Sequence, residues 1–392
     1  MQEGDRLLEL LRVEFGVQDA PGAPLSEGEW AQVRSLASAH GVLGFVYGAI
    51  SKLPEEFAPP RPIYLQFLYY ADKIQRRNAL LDAQSKEISE ELSSLSLQSC
   101  ILKGQGLAVL YPDPDLRQSG DIDVWVSRCG EENPGHCGEE NPGCCGEGKP
   151  GRRGGETSYR RAIVRLLGEK WPVGKTFYHH VDVFPFGKIG TSVEVHFTPS
   201  WMFSPRTNRI LQRYFAVNGA AQFGNRLPEK GFSVCTGGFN VVYGMVHLYR
   251  HLLLEGFGLR QLCDYYQILA HSSEDERARA AEVFASLGMM HFAAAIMFVL
   301  QEMFLLDAAL LVCVPDPVRG RTLYREILRA GNFGKSDSRN AGLRQAAAVK
   351  RFLLKTARVL RYFPLAPSEA FFSPVFRAWQ ALWRVRNRDL FN

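Results

Sequence analysis

The first 97 residues carry apolar side chains at helical spacing, interrupted by turn residues. The apolar face of the first segment consists of Leu7, Leu8, Leu10, Leu11 and Phe15. Ser26 and Glu29 have the spacing of a capping box, which predicts the start of a second helix. The second helix is predicted to end at His40, which is interpreted as a helix-end or core histidine. A long helix is predicted from about Pro62 to Leu95. Residues 1–97 are therefore interpreted as an N-terminal helical region.

In the middle of the chain the apolar period changes from helical to alternating. The predicted strands are Cys100–Leu102, Asp121–Val126, Phe177–Phe184 and Ile189–Phe197, and the predicted helices between them are Gly106–Tyr111 and Glu156–Trp171. Helical spacing returns after Trp201 and continues to the end. We therefore expect an α+β fold, with a small mixed β-sheet core at 98–200 and a C-terminal helical domain at 201–392.

A Gly-, Pro- and Glu-rich repeat of eight residues interrupts the predicted core. It reads CGEENPGH at 129–136, CGEENPGC at 137–144 and CGEGKPGR at 145–152. This composition provides no apolar surface for a core and predicts a flexible loop insertion at 129–155. The alternative is a metal site formed by Cys129, Cys137, Cys144, Cys145 and His136. The cysteine spacings do not match zinc ribbons or fingers, which favours the loop.

The chemistry that the sequence suggests is concentrated between Lys103 and Asp123. Asp121 and Asp123 point to the same face of a strand, because side chains alternate along it. Two like charges there favour a hard cation such as Mg²⁺ between them. Gly104 and Gly106 permit a tight turn whose N–H groups suit a phosphate. The pattern indicates transfer of a phosphoryl or nucleotidyl group.

The whole stretch resembles the uncharacterised nucleotidyltransferase family of the DNA polymerase beta-like superfamily. The residues that carry the resemblance are Lys103-Gly104, Leu107-Ala108, Tyr111-Pro112-Asp113, Leu116-Arg117 and Gly120-Asp121-Ile122-Asp123. The resemblance implies a third carboxylate on a later strand, which matches Glu194, with His196 two residues on. It implies that Asp121, Asp123 and Glu194 are catalytic and hold Mg²⁺ or Mn²⁺. The residues expected to bind the nucleotide are Lys103, Gly104, Gly106 and Arg117.

Several residues have a structural alternative at this point. Arg117 either contacts phosphate or anchors its loop, and Arg260 either pairs with Asp264 one turn later or reaches phosphate. His179, His180 and Asp182 could line the same sheet as Glu194. His247 and His251 have a spacing that can bind metal but lack the H-E-x-x-H pattern, so they are interpreted as core or capping histidines.

Taken together, the motifs predict a Mg-dependent nucleotidyltransferase that moves a nucleoside monophosphate from an NTP, expected to be ATP, to an acceptor hydroxyl. The alternative is a non-catalytic nucleotide-binding or protein-interaction module on the same fold. A third interpretation uses the basic C-terminal region, where Pro315–Asn392 has 16 Lys/Arg and 5 Asp/Glu, to bind nucleic acid. No DNA or RNA recognition motif supports it.

Composition is that of an ordinary globular protein, with 46% hydrophobic and 22% charged residues and a net charge of +5. The first 14 residues are charged and amphipathic, unlike a signal peptide, and Phe292–Val314 is interrupted by polar residues, unlike a membrane span. The eight cysteines contain no C-x-x-C pair. We therefore expect a cytoplasmic protein with free thiols and no membrane association.

Overall fold

The largest sheet of the protein has five strands and is mixed. A computed structural model describes residues 4–128, 154–187, 190–331 and 347–386 of the chain. The strands are β1 (Leu97–Ile101), β2 (Ile122–Arg128), β3 (Val173–Thr176), β4 (His180–Phe186) and β5 (Thr191–His196). Their order is β1-β2-β5-β4-β3; β2 and β5 run parallel and the other pairs run antiparallel. A two-stranded hairpin, β6 (Arg226–Leu227) and β7 (Phe232–Ser233), completes the strands.

Helices precede and follow the sheet in sequence. They are α1 (Asp5–Glu14), α2 (Glu27–His40), α3 (Leu43–Ile50), α4 (Arg61–Ser94), α5 (Gln105–Ala108), α6 (Gly154–Gly168), α7 (Pro205–Gly224), α8 (Gly237–Leu254), α9 (Leu259–Ala270), α10 (Glu274–Ser286), α11 (Met290–Phe304), α12 (Pro317–Ala330), α13 (Ala348–Arg361) and α14 (Pro367–Arg386). Ser26 and Glu29 form the predicted capping box at the start of α2. The α+β fold, with a mixed sheet between helical regions, is thus confirmed.

Chain contacts divide the protein into two compact units. The helical unit comprises Met1–Leu80, Leu107–Ser119 and Asn240–Val375, as far as these stretches are described. The sheet unit comprises Leu81–Gly106, Gly120–Phe239 and Phe376–Asn392, again only where these stretches are described. The units follow contacts in space, whereas the division at residues 97 and 200 follows the sequence pattern and stays a prediction.

One face of the sheet forms the core of the sheet unit. Ile122, Val124 and Val126 alternate along β2 and are almost fully buried. They join residues of β4 and β5 and, from α4 and α6, Leu81, Ile88, Leu92, Ile163 and Leu167. Because alternate strand residues point to opposite faces, burying these valines turns Asp123 and Trp125 toward the other face.

The structure contains one strand that was not predicted, and two predicted features lie wholly or partly outside the described residues. β3 has no counterpart among the predicted strands, because Gly174 and Lys175 give it no apolar alternation and leave it exposed at the sheet edge. The octapeptide repeat at 129–152 and its alternative metal site lie outside the described residues, and of the loop insertion predicted at 129–155 only 154 and 155 are described, as the start of α6. Ile189, the predicted start of a strand, also lies outside them.

Candidate functional site

The sheet register brings polar side chains from three strands into two adjacent rows. Asp123 on β2 is paired with Glu194 on β5, and Glu194 is paired with Asp182 on β4. In the next row His196 of β5 is paired with His180 of β4. Residues in register on one face lie side by side, so five titratable groups converge on the face opposite the valine core.

Asp123 is the most buried carboxylate of this group, with 4% of its surface exposed. Its Oδ1 lies 3.0 Å from Nζ of Lys103 and 3.1 Å from Nε2 of His196. Burial acts to raise the pKa of Asp123, but the positive charge of Lys103 and the hydrogen bond from His196 outweigh it. The pKa of Asp123 is consequently held well below its usual range. The cation that relieves this carboxylate is thus Lys103, a role that the strand pattern did not reveal.

His196 connects the two carboxylates of the first row. Its Nε2 lies 3.1 Å from Asp123 and 3.5 Å from Oε2 of Glu194. Burial acts to lower the pKa of His196, whereas the contacts with Asp123 and Glu194 raise it above its ordinary value. Glu194 is half-buried, so its carboxylate faces both the histidine and the accessible side of the cluster.

The glycine turn holds Lys103 next to the sheet. Gly104 has a φ of +57°, a conformation that favours glycine. A Cβ at Gly106 would lie only 2.7 Å from the carbonyl oxygen of Ile101, so a side chain there would displace the backbone. Gln105, which stands where the superfamily usually has a second glycine or a serine, donates from Nε2 to Asp82 on α4 at 2.7 Å. The geometry thus explains Gly106 by close backbone packing, while phosphate binding by this turn stays a prediction.

Of the three predicted metal ligands, the structure brings Asp123 and Glu194 into one group but not Asp121. Asp123, Glu194 and His196 each offer one ligand atom, and these atoms lie within 4.8 Å of one another. Asp121 is exposed, one residue before β2, and among the described residues it belongs to none of the three metal-compatible groups. The donor set of two carboxylates and an imidazole fits a divalent cation. The part of Asp121 in such a site remains a prediction.

Arg117 lies in the helical unit, where it is almost fully buried. Its Nε and Nη2 donate to the two carboxylate oxygens of Asp264 at 2.8 and 2.7 Å. Tyr111 donates to the same carboxylate at 2.7 Å, and Asn78 donates to the carbonyl of Arg117 at 2.8 Å. This two-pronged geometry supports the alternative role of Arg117 as a loop anchor, and its phosphate contact stays a prediction. Arg260 donates to the carbonyl of Gln118 in the same unit.

A sequence model of the family described as uncharacterised nucleotidyltransferase matches residues 26–132 and 155–305, more than half of the chain. The chain belongs to this family. The matched regions include the polar rows of the sheet and the Arg117–Asp264 pair. The unmatched interval between these regions, 133–154, covers most of the octapeptide repeat, and the interpretation of the repeat as a loop insertion stays a prediction.

A search of curated proteins finds no match to this chain. In the part of the chain that the structure describes, every helix is too short or too polar to traverse a lipid bilayer. The sequence interpretation placed His180 and Asp182 on the same sheet as Glu194 but did not predict the strand register by which they extend the two polar rows of the site. The signal available for them was their two-residue spacing, which matches that of Glu194 and His196 on the neighbouring strand.

Proposed function

We propose that the protein is a divalent-metal-dependent nucleotidyltransferase that transfers a nucleoside monophosphate from an NTP to an acceptor hydroxyl. The observation that carries this proposal is the register of β2 and β5, which sets Asp123 beside Glu194 with His196 bridging them. Asp123 and Glu194 come from two neighbouring strands and together supply the negative charge that a divalent cation requires. The family to which the chain belongs, described as uncharacterised nucleotidyltransferase, supports this use of the site.

Asp123 and Glu194 hold Mg²⁺ or Mn²⁺ in this proposal, and Asp121 adds a third carboxylate from the exposed start of the strand. When bound, the ion neutralises phosphate charge and lowers the pKa of the acceptor hydroxyl. His196 orients the buried Asp123 and the half-buried Glu194 through Nε2. Asp123 stays ionised at neutral pH, since its pKa is depressed, and is ready to bind a cation without losing a proton.

Lys103 is the proposed phosphate cation, on a turn that Gly104 and Gly106 make possible. Its ammonium lies 3.0 Å from Oδ1 of Asp123, and the Lys103 side chain is 22% exposed, so it is accessible to a ligand. A divalent cation held by Asp123 would repel the Lys103 ammonium toward the phosphate charge, because like charges repel and opposite charges attract. ATP is the proposed nucleotide and Mg²⁺ the proposed ion. Arg117 is proposed as a loop anchor rather than a phosphate ligand, because Asp264 engages its guanidinium.

A cytoplasmic location is part of the proposal. The Sγ atoms of Cys100 and Cys235 lie 3.8 Å apart in the buried interior of the sheet unit. In the proposal these two cysteines remain thiols, as they would in a reducing compartment.

The test is a screen of purified protein with labelled NTPs, Mg²⁺ or Mn²⁺ and fractionated cell extract, asking which component becomes labelled. Asp123→Asn keeps the side-chain shape and removes the charge that holds the ion. We expect labelling to fall by a factor of about 100 or more, equivalent to roughly 3 kcal/mol in the barrier. Equal labelling by wild type and Asp123→Asn would remove the metal role from this residue.

A further inference from the structure

Three imidazole rings crowd the sheet face beside the Asp123–Glu194 pair. His180 and His196 are cross-strand partners of β4 and β5, and His179 directly precedes β4. The carbonyl of His179 accepts a hydrogen bond from the N–H of Phe197 at 2.8 Å. Backbone pairing therefore fixes the origin of all three side chains, as a rigid binding site requires.

The ring nitrogens lie at distances suited to one ion. One nitrogen of each ring lies within 4.8 Å of one nitrogen of the other two. His179 Nε2 is 2.9 Å from His180 Nδ1, and Oε2 of Glu194 lies 3.7 Å from His180 Nδ1 and 3.5 Å from His196 Nε2. In a tetrahedral zinc site with bonds of about 2.0–2.1 Å, neighbouring ligand atoms are about 3.3 Å apart. The His179–His180 distance is shorter than that value and the two distances to Glu194 are longer, while the three ring nitrogens lie within 4.8 Å of one another, so the rings are close enough to share one ion after reorientation.

Asp182 determines which ring nitrogen of His180 is available to bind a metal ion. Its Oδ1 lies 3.2 Å from His180 Nε2, on the side of the ring away from His179. With Nε2 donating to this carboxylate, the lone pair of His180 is on Nδ1 and points at His179. A carboxylate that fixes the tautomer of a ligating histidine is the usual support of a metal ligand in proteins. The site thus has both its ligands and a group that orients one of them.

We propose that His179, His180 and His196 form a nitrogen-rich site for a zinc-class divalent ion, with Asp182 as the positioning residue for His180. Imidazole favours Zn²⁺ and related transition ions, whereas Mg²⁺ prefers oxygen. Three protein ligands leave one tetrahedral position, which Glu194, water or a substrate atom can fill. The proposal goes beyond nucleotidyl transfer and stands whether or not that reaction occurs.

The test uses the full chain without an affinity tag, with Cys129, Cys137, Cys144 and Cys145 changed to serine so that the repeat does not bind metal. The protein is stripped with a chelator and titrated calorimetrically with Zn²⁺ in excess Mg²⁺, and bound metal is counted by elemental analysis. We expect about one zinc per chain and, after substitution with Co²⁺, the visible absorption bands of a tetrahedral site. Zinc that binds no better than to an unfolded control chain overturns the proposal.

Variants distinguish the histidines proposed to bind zinc from Asp182, which is proposed to orient His180. Asp182→Asn, at a partly exposed position, should weaken zinc binding about 10–100-fold. His180→Ala should weaken it further and should abolish the zinc-dependent rise in melting temperature. His291→Ala removes an exposed histidine on α11 and is the matched control, with wild-type affinity expected. Equal zinc affinity in wild type, Asp182→Asn and His180→Ala contradicts the site.

Discussion

Two buried carboxylates, one in each unit, show how the same group is used for structure and for a candidate site. Asp264 in the helical unit receives two hydrogen bonds from Arg117 and one from Tyr111. Asp123 in the sheet unit contacts Lys103 and His196, and its neighbours on the same face include further acids, Glu194 and Asp182. The carboxylate of Asp264 is hydrogen-bonded by donors that are fixed in place. The carboxylate of Asp123 instead lies in a cluster that contains further carboxylates.

The difference lies in how replaceable the partners are. Arg117 is 5% exposed and its planar fork fits a carboxylate in one orientation. Lys103 is 22% exposed and carries a point charge on a flexible stem, which a metal ion can displace. A carboxylate with locked partners stabilises the fold, and a carboxylate with exchangeable partners is available for binding. The predictions that follow test this distinction.

The largest effect on stability is expected for Arg117→Met. It leaves the Asp264 carboxylate buried without its charged partner, which costs about 3–5 kcal/mol in the free energy of unfolding. Urea denaturation measures this loss, and Arg279→Ala, which removes an exposed arginine, should stay within about 0.5 kcal/mol of wild type. A stable Arg117→Met protein with weakened nucleotide binding would instead restore the phosphate role predicted from the sequence.

A second contrast concerns buried histidines, since His196 has a raised pKa and burial lowers the pKa of His40 to about 4. His40 accepts the N–H of Leu259 at Nδ1, 3.2 Å away in the helical unit. The unfolded chain, with a pKa of about 6.5, binds the proton more readily than the folded one. Stability contributed by neutral His40 is therefore complete above pH 6.5 and falls as the pH is lowered toward 4.

We expect the free energy of unfolding to drop by about 2 kcal/mol between pH 8 and pH 5 through His40 alone. His40→Asn keeps an acceptor near Nδ1 and removes the titration, so this part of the pH dependence should disappear. Urea denaturation of both proteins at the two pH values makes the comparison. An unchanged pH dependence in His40→Asn would show that His40 is protonated equally in the folded and unfolded chains.

A smaller effect, about 1 kcal/mol, is expected for Lys103→Met in the presence of a chelator, because the ion pair it removes is partly exposed. Millimolar Mg²⁺ should restore the stability of Lys103→Met, since the ion neutralises Asp123 and Glu194 in place of the ammonium. The same addition should leave Arg117→Met as unstable as before. Mg²⁺ that restores neither variant, or both, would remove the distinction between locked and exchangeable partners.

The smallest effect is expected for deletion of residues 130–152. The segment is nearly devoid of apolar side chains and interrupts the family match, so its removal shortens a loop and changes stability by less than about 1 kcal/mol. Thermal unfolding and metal analysis of the deletion variant measure this. A large fall in melting temperature, or zinc that disappears with the segment, would contradict the loop interpretation.

These contrasts also show which features of the structure could be predicted from the sequence and which could not. Alternation predicts that Glu194 and His196 share a strand face, and the mixed sheet between helices is confirmed. Local spacing offered Arg260 as the partner of Asp264, but the guanidinium that binds Asp264 comes from Arg117, 147 residues away in the chain. Register between distant strands, such as Asp123 beside Glu194, likewise depends on packing that periodicity does not encode.

The central claim, that Asp123 is a metal-binding carboxylate with exchangeable partners, is tested most directly by calorimetric binding of a non-hydrolysable ATP analogue. Wild type, Asp123→Asn and Glu194→Gln are compared with and without Mg²⁺, and Arg279→Ala is the control. The account predicts that Mg²⁺ strengthens binding to wild type and the control, and that both site variants lose this gain by a factor of about 10 or more, roughly 1.4 kcal/mol. Equal Mg²⁺-dependent affinity in all four proteins would contradict the account and leave a non-catalytic module on the same fold.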